Sequence, residues 1–500
     1  MLRESTMNIH GVVVKAKRPS FKRGAEGMLV DVLHTDYAKL GDALDVFREM
    51  PLLNVSNDGT VNVFGKGTPL IYINNKQVRD VDELKRLKSG DIKNVEIITS
   101  PGAKYDATVS SVIRVKTVKK KGEGLSGTFI SKLSYNGFLN GFEQANLNYQ
   151  HKGLELFSTL YGSFGFNYDI NDSHSIGASY EVSKSLYGKG NACGDSTIVS
   201  DGVQEDELLQ RIDLENVHGP QQDANFYYMG TIGKMKIDFN ASYIYRKTGR
   251  FMTQDEAASE GESRMVHTDS RNHNSLWAGK LILSHPLGKG SVELGSELTS
   301  TRSRGAYSNE ENIVASSSTL VKESNVAGFL SLSYPLGYFS LQGGVRYEYV
   351  NSDFYQFDEW QSEPSRKYGN WFPNFAISYS QGMWSTSLSY TCQTQRPSYN
   401  SLRNEVQYDN RYMYEGGNPY LRSSLLHNLS WDVVYSWINF GAEYEYTDKP
   451  IIWYATLYGG ESIAYLRNLN FGHNQALTLY LIASPKLGWY NPTWQVFYQQ

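Results

Sequence analysis

From Thr128 onward, apolar and polar residues alternate with a period of two. Met235, Ile237, Phe239, Ala241, Tyr243 and Tyr245 alternate with Lys236, Asp238, Asn240 and Ser242. Phe339, Leu341, Gly343, Val345, Tyr347 and Tyr349 alternate with Ser340, Gln342, Gly344, Arg346 and Glu348. Trp384–Tyr390 and Leu429–Trp437 repeat the pattern. Successive side chains of a strand point to opposite faces, so each segment predicts a strand with one apolar and one polar face. Each runs about 9–11 residues, the length that crosses a bilayer at a tilt. Two architectures use such strands: a soluble antiparallel sheet protein and a transmembrane β-barrel. Alternation alone does not separate them.

The spacing of the turns favours the barrel. Ser284-His285-Pro286-Leu287-Gly288, Ser333-Tyr334-Pro335-Leu336-Gly337 and Gln381-Gly382 read as tight turns. Between them lie the long polar stretches 247–273, 301–324, 351–370 and 393–427, read as outer loops. Long and short connections in turn fit an up-and-down barrel. Structureless loops over ~15 residues are uncommon in a compact soluble domain. Tyr347, Tyr349, Tyr390 and Trp437 fall near strand ends, as an interfacial girdle requires. A barrel in hydrocarbon must close, because each unpaired backbone group costs several kcal/mol. About eighteen candidate strands follow residue 121. The run Trp494–Gln500 reads as the middle of a strand, so further strands are expected beyond it. No uncharged apolar run reaches the ~18 residues of a membrane helix.

The first 121 residues read differently, as a small α/β unit. Leu40–Met50 has helical spacing and Pro51 stops it; Val81–Lys88 is a short charged helix. Val61–Phe64, Leu70–Ile73, Val95–Ile98 and Val112–Val115 read as strands. Lys119–Gly124 reads as a linker. Gly122-x-Gly124-x-x-Gly127 matches a dinucleotide-binding spacing, but a strand follows it where that motif needs a helix. The expected division is 1–27 as an N-terminal segment, 28–121 as a domain and 122–500 as the barrel.

Charge and motifs narrow the function. Lys plus Arg is 48 and Asp plus Glu 52, a net charge of −4 that gives no footprint for nucleic acid. Two cysteines make no disulfide scaffold; a Cys193–Cys392 bridge and two free thiols both stay open. There is no His-Glu-x-x-His, zinc spacing, Gly-x-Ser-x-Gly elbow or Walker motif, so no catalytic residue, metal ligand or cofactor is assigned and the chain is read as a non-enzyme. Three polar stretches carry acids: Asp201, Glu205, Asp206 and Glu207; Asp255, Glu256 and Glu260; Asp353, Asp358 and Glu359. They read as solvated loops, or as attractors of a cationic ligand or Ca²⁺. Tyr355, Trp360 and Trp371 read as interface aromatics or stacking groups for a ligand. Lys236, Asp238, Arg346, Glu348, Asp432, Glu443 and Glu445 must face the lumen, since Arg or Lys at mid-bilayer costs about 2–4 kcal/mol.

Several stretches carry a family resemblance. They are Val63-Phe64-Gly65-Lys66-Gly67-Thr68-Pro69, Ile71–Lys76, the dense run Asp91–Ala107 containing Ser100-Pro101-Gly102-Ala103-Lys104-Tyr105-Asp106, then Gln395-Arg396-Pro397-Ser398-Tyr399 and Gly417-Asn418-Pro419-x-Leu421. With these the chain resembles TonB-dependent receptors of the Bacteroidetes type, the outer membrane protein β-barrel family with an N-terminal plug. The resemblance implies a mostly-β fold, an antiparallel transmembrane barrel of 22 strands around a small α/β plug. It implies the cell outer membrane as location and energy-coupled import of an unidentified ligand: siderophore, glycan, peptide or cobalamin-like. Its partners would be a TonB-type energy-coupling complex and outer-membrane lipid. Ile9-His10-Gly11-Val12-Val13-Val14 resembles a TonB box, with Ile9, Val12, Val13 and Val14 as its contacts; a plain first strand of the plug is the alternative. The chain departs from the family in lacking a signal peptide and a leading carboxypeptidase-like domain, and in having Arg403-Asn404 and Arg422-Ser423 where prolines are usual. It is therefore expected to be truncated at both ends. The rival readings are a structural or adhesive barrel whose plug never moves, and a passive porin.

Overall fold

The computed structural model describes residues 21–23, 27–56, 59–74, 76–78, 81–118, 123–135, 139–159, 162–183, 188–485, 487, 492 and 494–500. The N-terminal α/β unit is a six-stranded sheet in the order Phe21–Arg23, Gly27–Asp31, Ile92–Ile98, Val112–Thr117, Leu70–Ile73, Lys76–Gln77. Helix Ala43–Arg48 packs on it. The predicted helix begins at Leu40, but Asp42 caps it: Asp42 accepts from the Asp45 amide at 2.9 Å and Asp45 from the Asp42 amide at 3.1 Å. That reciprocal box fixes where the helix starts. The second predicted helix ends at Arg86. Val30, Val46, Phe47, Val95, Ile97 and Ile113 form a dry core, and Ile482 and Tyr480 of the barrel wall pack against it.

The barrel wall runs from Gly124–Tyr135 to Trp494–Gln499, nineteen strands among the described residues. His174–Ser183 pairs with Gln221–Ile232, while Gly188–Ser200 pairs with Val203–His218. The single strand Met235–Ala258 then pairs with both Gln221–Ile232 and Val203–His218. These four strands are thus lower and upper halves of two staves, so the wall has seventeen staves, where the resemblance implies 22. Gly233, Gly288, Gly337 and Gly382 sit at φ 59–62° in four of the tight turns at one rim. A left-handed residue matches the twist of a two-residue hairpin, and glycine adopts it without strain.

Three of the predicted outer loops are corrected. Stretches 247–273, 301–324 and 351–370 are mostly strand: Met235–Ala258 and Arg264–Leu287 have 24 residues each, and Glu359–Gln381 has 23. Beyond the bilayer both faces of a strand are wetted or covered by other chain. The apolar alternation stops there, although the backbone ladder continues. The estimate of 9–11 residues measured the membrane-facing part only. Stretch 393–427 does leave the wall. Its strands Val406–Asn410 and Met413–Gly416 join Ile451–Leu457 and Ala464–Asn470 in a separate four-stranded sheet. The two segments are tied by a parallel pairing of Met413–Gly416 with Ala464–Arg467. This lid lies against the inner face of the tall wall, where Tyr408 and Tyr414 cluster with Val266, Tyr307 and Val314.

Candidate functional site

The plug motif is where the N-terminal unit meets the wall. Ser100 is buried and its hydroxyl lies 2.8 Å from that of Ser389. Pro101, Gly102 and Ala103 are buried behind it, and a turn closed by the Tyr105 amide on the Gly102 carbonyl (3.1 Å) aims the next residues at the wall. Lys104 pairs with Glu293 at 3.4 Å. Asp106 lies 3.5 Å from Arg346 and 3.6 Å from Arg396. Arg346, 1% exposed, also binds Glu348 at 2.5 Å and Glu297 at 3.1 Å, while Arg396 binds Glu348. Lys280 reaches Glu297 at 3.4 Å. Three cations thus face three carboxylates, and the Ala107 amide donates to Glu348 at 3.3 Å. Burial pushes the Asp106 carboxyl up, but the Arg396 and Arg346 guanidiniums and hydrogen bonds from Thr108 outweigh it and hold it below the usual carboxylate range. Main-chain contacts finish the seam: the Thr394 amide to the Ala107 carbonyl (2.9 Å) and Gln393 to the Val109 carbonyl (2.7 Å). Further round the wall, Lys66 pairs with Glu443 at 2.5 Å and Phe64 stacks on Phe497 at 3.8 Å.

The other flank of the plug stands off from the wall. A cavity of about 920 Å³ separates Tyr72, Tyr105 and Arg114 from Asn167, Tyr227 and Asp238. Its lining reaches Asp172, Ser173 and Lys236, beside the tight-turn rim. The surface is polar: Tyr227 donates to Asn167 at 2.8 Å, and Asn167 to Glu155 at 2.9 Å.

At the opposite rim the lid is latched to the tall wall. Tyr408 donates to Glu256 at 2.9 Å and Tyr412 to Asp206 at 2.6 Å. Arg411 lies 3.4 Å from Glu256, and Gln210 donates to the Asp409 carbonyl at 3.2 Å. Hydrogen bonds from Tyr412, then Ser259 and the Glu260 and Glu207 amides, hold the Asp206 carboxyl well below its ordinary value. Gly417 carries the lid's entry: a side chain there would collide with the Arg403 carbonyl.

The sequence profile of the "Outer membrane protein beta-barrel family" matches residues 231–499. This chain belongs to that family. The family barrel is the tall wall, the lid and the last staves described above. The protein is therefore an outer-membrane barrel, and the plugged architecture expected from the resemblance is the architecture found. Among solved structures it is similar to "Copper transporter OprC", 10% identical, covering 97% of this chain and 81% of that one with a TM-score of 0.56. It is also similar to the FrpB iron transporter from Neisseria meningitidis (F5-1 variant), 11% identical, covering 94% and 80% with a TM-score of 0.51. No curated protein matches the sequence.

The sequence-based site residues divide three ways. Ser100 to Asp106 come together at the plug–wall seam. Ile9, Val12, Val13 and Val14 lie outside the described residues. The lumen charges Arg346, Glu348 and Glu443 are plug anchors; Lys236 and Asp238 line the cavity. The acids Asp206 and Glu256 are not loop charges in solvent but buried latches, each 1% exposed or less. Cys193 and Cys392 are both free thiols. Tyr355 lies under Lys322 at 4.5 Å, Trp360 donates to Asp353 at 3.4 Å, and Trp371 packs on Tyr347 at 4.7 Å. Arg396 belongs to the Gln395–Tyr399 motif, and the motif alone assigns it no role. Its signal was available only as a charge beside a strand end.

Proposed function

We propose that the chain is a TonB-dependent importer, dividing into a coupling segment (1–27), a plug (28–121) and the barrel (122–500). The observation that carries this reading is the plug's uneven seating. Charged and main-chain contacts tie one flank to the wall, and a polar cavity lies along the other. A greasy seal would bind the plug without direction. An ion-pair seam instead gives up its contacts to water stepwise, so a pull on the N-terminal segment can shift the plug toward the side already open. The outer membrane has no nucleotide supply, so such work arrives mechanically. TonB would dock by strand addition on the β-branched run containing Ile9 and Val12–Val14. Two proteins of similar structure are a copper transporter and an iron transporter; a metal or metal chelate is the cargo class to try first here.

The test is binding of the full chain in detergent to the periplasmic domain of TonB. Val13→Pro removes a strand-addition donor and should abolish the complex. Unchanged binding by this variant would overturn the coupling mechanism and favour a barrel with a fixed plug.

A further inference from the structure

The tall wall has two upright edges, and they are finished differently. One is the upper part of Glu359–Gln381, above its last pairing with Trp384–Gln395 at Asn374. The lid covers it: Tyr420 donates to Glu363 at 3.3 Å, the Tyr368 hydroxyl lies 3.2 Å from that of Ser423, and Arg366 donates to the Leu421 carbonyl. The other edge is Gly188–Ser200, thirteen residues paired along one side with Val203–His218. Among the described residues no strand pairs with its other side. His174–Ser183, which precedes it, is already taken on both edges, by Ser163–Asn171 and Gln221–Ile232. The next stave back ends lower, at Ser163 opposite Glu181. The free edge stands clear of the bilayer. Val217, opposite Gly249, is six residues above Tyr243, which packs on Trp277 at 4.4 Å in the aromatic girdle, roughly 20 Å along the strand.

An edge strand is normally blunted by proline, a bulge, a charge or a covering segment, because its unpaired ladder will take up another extended chain. Residues 188–200 contain no proline, and their one bulge lies at the tip, between Ile198 and Val199. In an antiparallel pair every second residue turns its N–H and C=O away from the partner, so about half of this strand presents them outward. Gly190 has open space where a side chain would stand, and Gly188 and Gly194 meet one ordinary contact each. A second backbone can approach closely there. The hairpin is also acidic. Residues 188–218 hold seven Asp and Glu against one Lys and one Arg, a net −5 within a chain of −4. Lys189 lies 3.9 Å from Glu215, and Arg211 stands opposite Asp255. Asp195 stands opposite Leu209, and Asp213 opposite Asn191 and Thr253. Both are exposed, and among the described residues no Lys or Arg pairs with either.

We propose that the free edge of Gly188–Ser200 docks an extended segment of a partner protein at the cell surface, rich in Lys or Arg, by strand addition. The open ladder supplies the binding, and Asp195 and Asp213 select the basic segment. A second copy of the chain fits less well. Two copies in one membrane share a two-fold axis along the membrane normal, and strands tilted by about 35–45° would then cross instead of running side by side. Docking there is independent of any pull on the plug, since it engages the opposite side of the membrane.

The probe is a fluorescein-labelled peptide of alternating Lys and Thr, about as long as the free edge, titrated against the full chain in detergent. It should bind and slow hydrogen exchange in 188–200 about tenfold or more, as new ladder bonds form, with the plug sheet unchanged. N-methylation of one alternating set of peptide residues should abolish binding and methylation of the other set should not, because only one set turns its N–H toward the protein. A single Cys moved along the peptide should be trapped by Cys193, an exposed free thiol, with a period of two under oxidising conditions. A peptide with Glu in place of Lys should not bind. Asp195→Asn with Asp213→Asn should weaken the Lys peptide about fivefold, and Asp195→Glu with Asp213→Glu should retain it. Equal binding of the two methylated peptides would mean adsorption by charge alone and overturn the proposal. Unchanged exchange in 188–200 at saturating peptide would also overturn it. A Cys193–Cys193 dimer formed by the chain alone, without peptide binding, would give the edge to a second copy and overturn it as well.

Discussion

The two flanks of the plug are built on opposite principles. On one, Asp106, Ser100 and Lys66 each meet a partner on the wall. On the other, Tyr72 and Arg114 face a cavity of about 920 Å³. Both flanks carry polar groups, so the difference lies in how closely the wall is approached, not in hydrophobicity. A buried ion pair adds little net stability when intact, yet breaking it by removing one partner is expensive. The fastened flank therefore positions the plug more than it glues it, and the open flank leaves somewhere for it to go.

Removing the central cation should break this asymmetry most severely. Arg346→Leu leaves buried Glu348 with Arg396 alone and Glu297 with Lys280 alone, three carboxylates against two cations, a loss that approaches the about 3–5 kcal/mol of a broken buried pair. Plug seating should loosen, seen as raised single-channel leak in planar bilayers and faster proteolysis within 100–107. Closure of the leak on adding Glu348→Gln to Arg346→Leu would tie the effect to the uncompensated charge. An Arg346→Leu protein with wild-type leak would mean the seam does not position the plug.

The lid offers the next largest effect. Glu256→Ala leaves the buried Tyr408 hydroxyl without its carboxylate acceptor and Arg411 with only the Glu260 and Glu262 carbonyls, about 1–3 kcal/mol for an unsatisfied buried group. Hydrogen exchange in 406–416 should speed up while exchange in the plug sheet stays as in wild type. Equal acceleration in both would show that lid and plug open as one unit.

Acid should act on the two fastenings with opposite signs. Asp106 is held below its ordinary value of 3.8, so its contribution is complete above that pH and is lost as pH falls through the depressed folded value. Burial raises both Asp409 and Glu415 in the lid, and Glu415 is raised further by Asp409. A carboxyl raised in the closed state stabilises that state below its ordinary pKa and loses the effect as pH rises through the raised value. Lowering the pH from 7 to 4.5, the ordinary value of a Glu carboxyl, should therefore tighten the lid and leave the Asp106 anchor, held below 3.8, in place. Hydrogen exchange corrected for intrinsic rates checks this; a lid that loosens over that range contradicts it.

The alternation in 235–245 and 339–349 made the barrel readable, because hydrocarbon enforces one apolar face. Above the bilayer that pressure disappears. Thr248, Ser270 and Ser303 carry no signal that distinguishes strand from loop, so in sequence the tall wall looks like loops. The lid was invisible for a related reason: it depends on a parallel pairing between Met413–Gly416 and Ala464–Arg467, some fifty residues apart in the chain. The plug motif was legible as a motif. Its partners were not, since Glu297, Arg346 and Arg396 lie on three separate segments that only the pairing of the intervening strands brings together.

The smallest expected effect is the sharpest check on the open flank. Asn240 and Asp238 line the cavity and hydrogen-bond each other at 2.5 Å, with no plug residue in the bond. Asn240→Ala should change plug seating by no more than about 0.5 kcal/mol, the usual range for substitutions away from packed or paired features. Asn240→Trp should also leave seating intact, because the cavity has room for the ring. It should nonetheless slow any passage along that flank. A leak or protease sensitivity in Asn240→Ala as large as that of Arg346→Leu would show that the plug leans on both walls, and the asymmetry that gives the pull its direction would be lost.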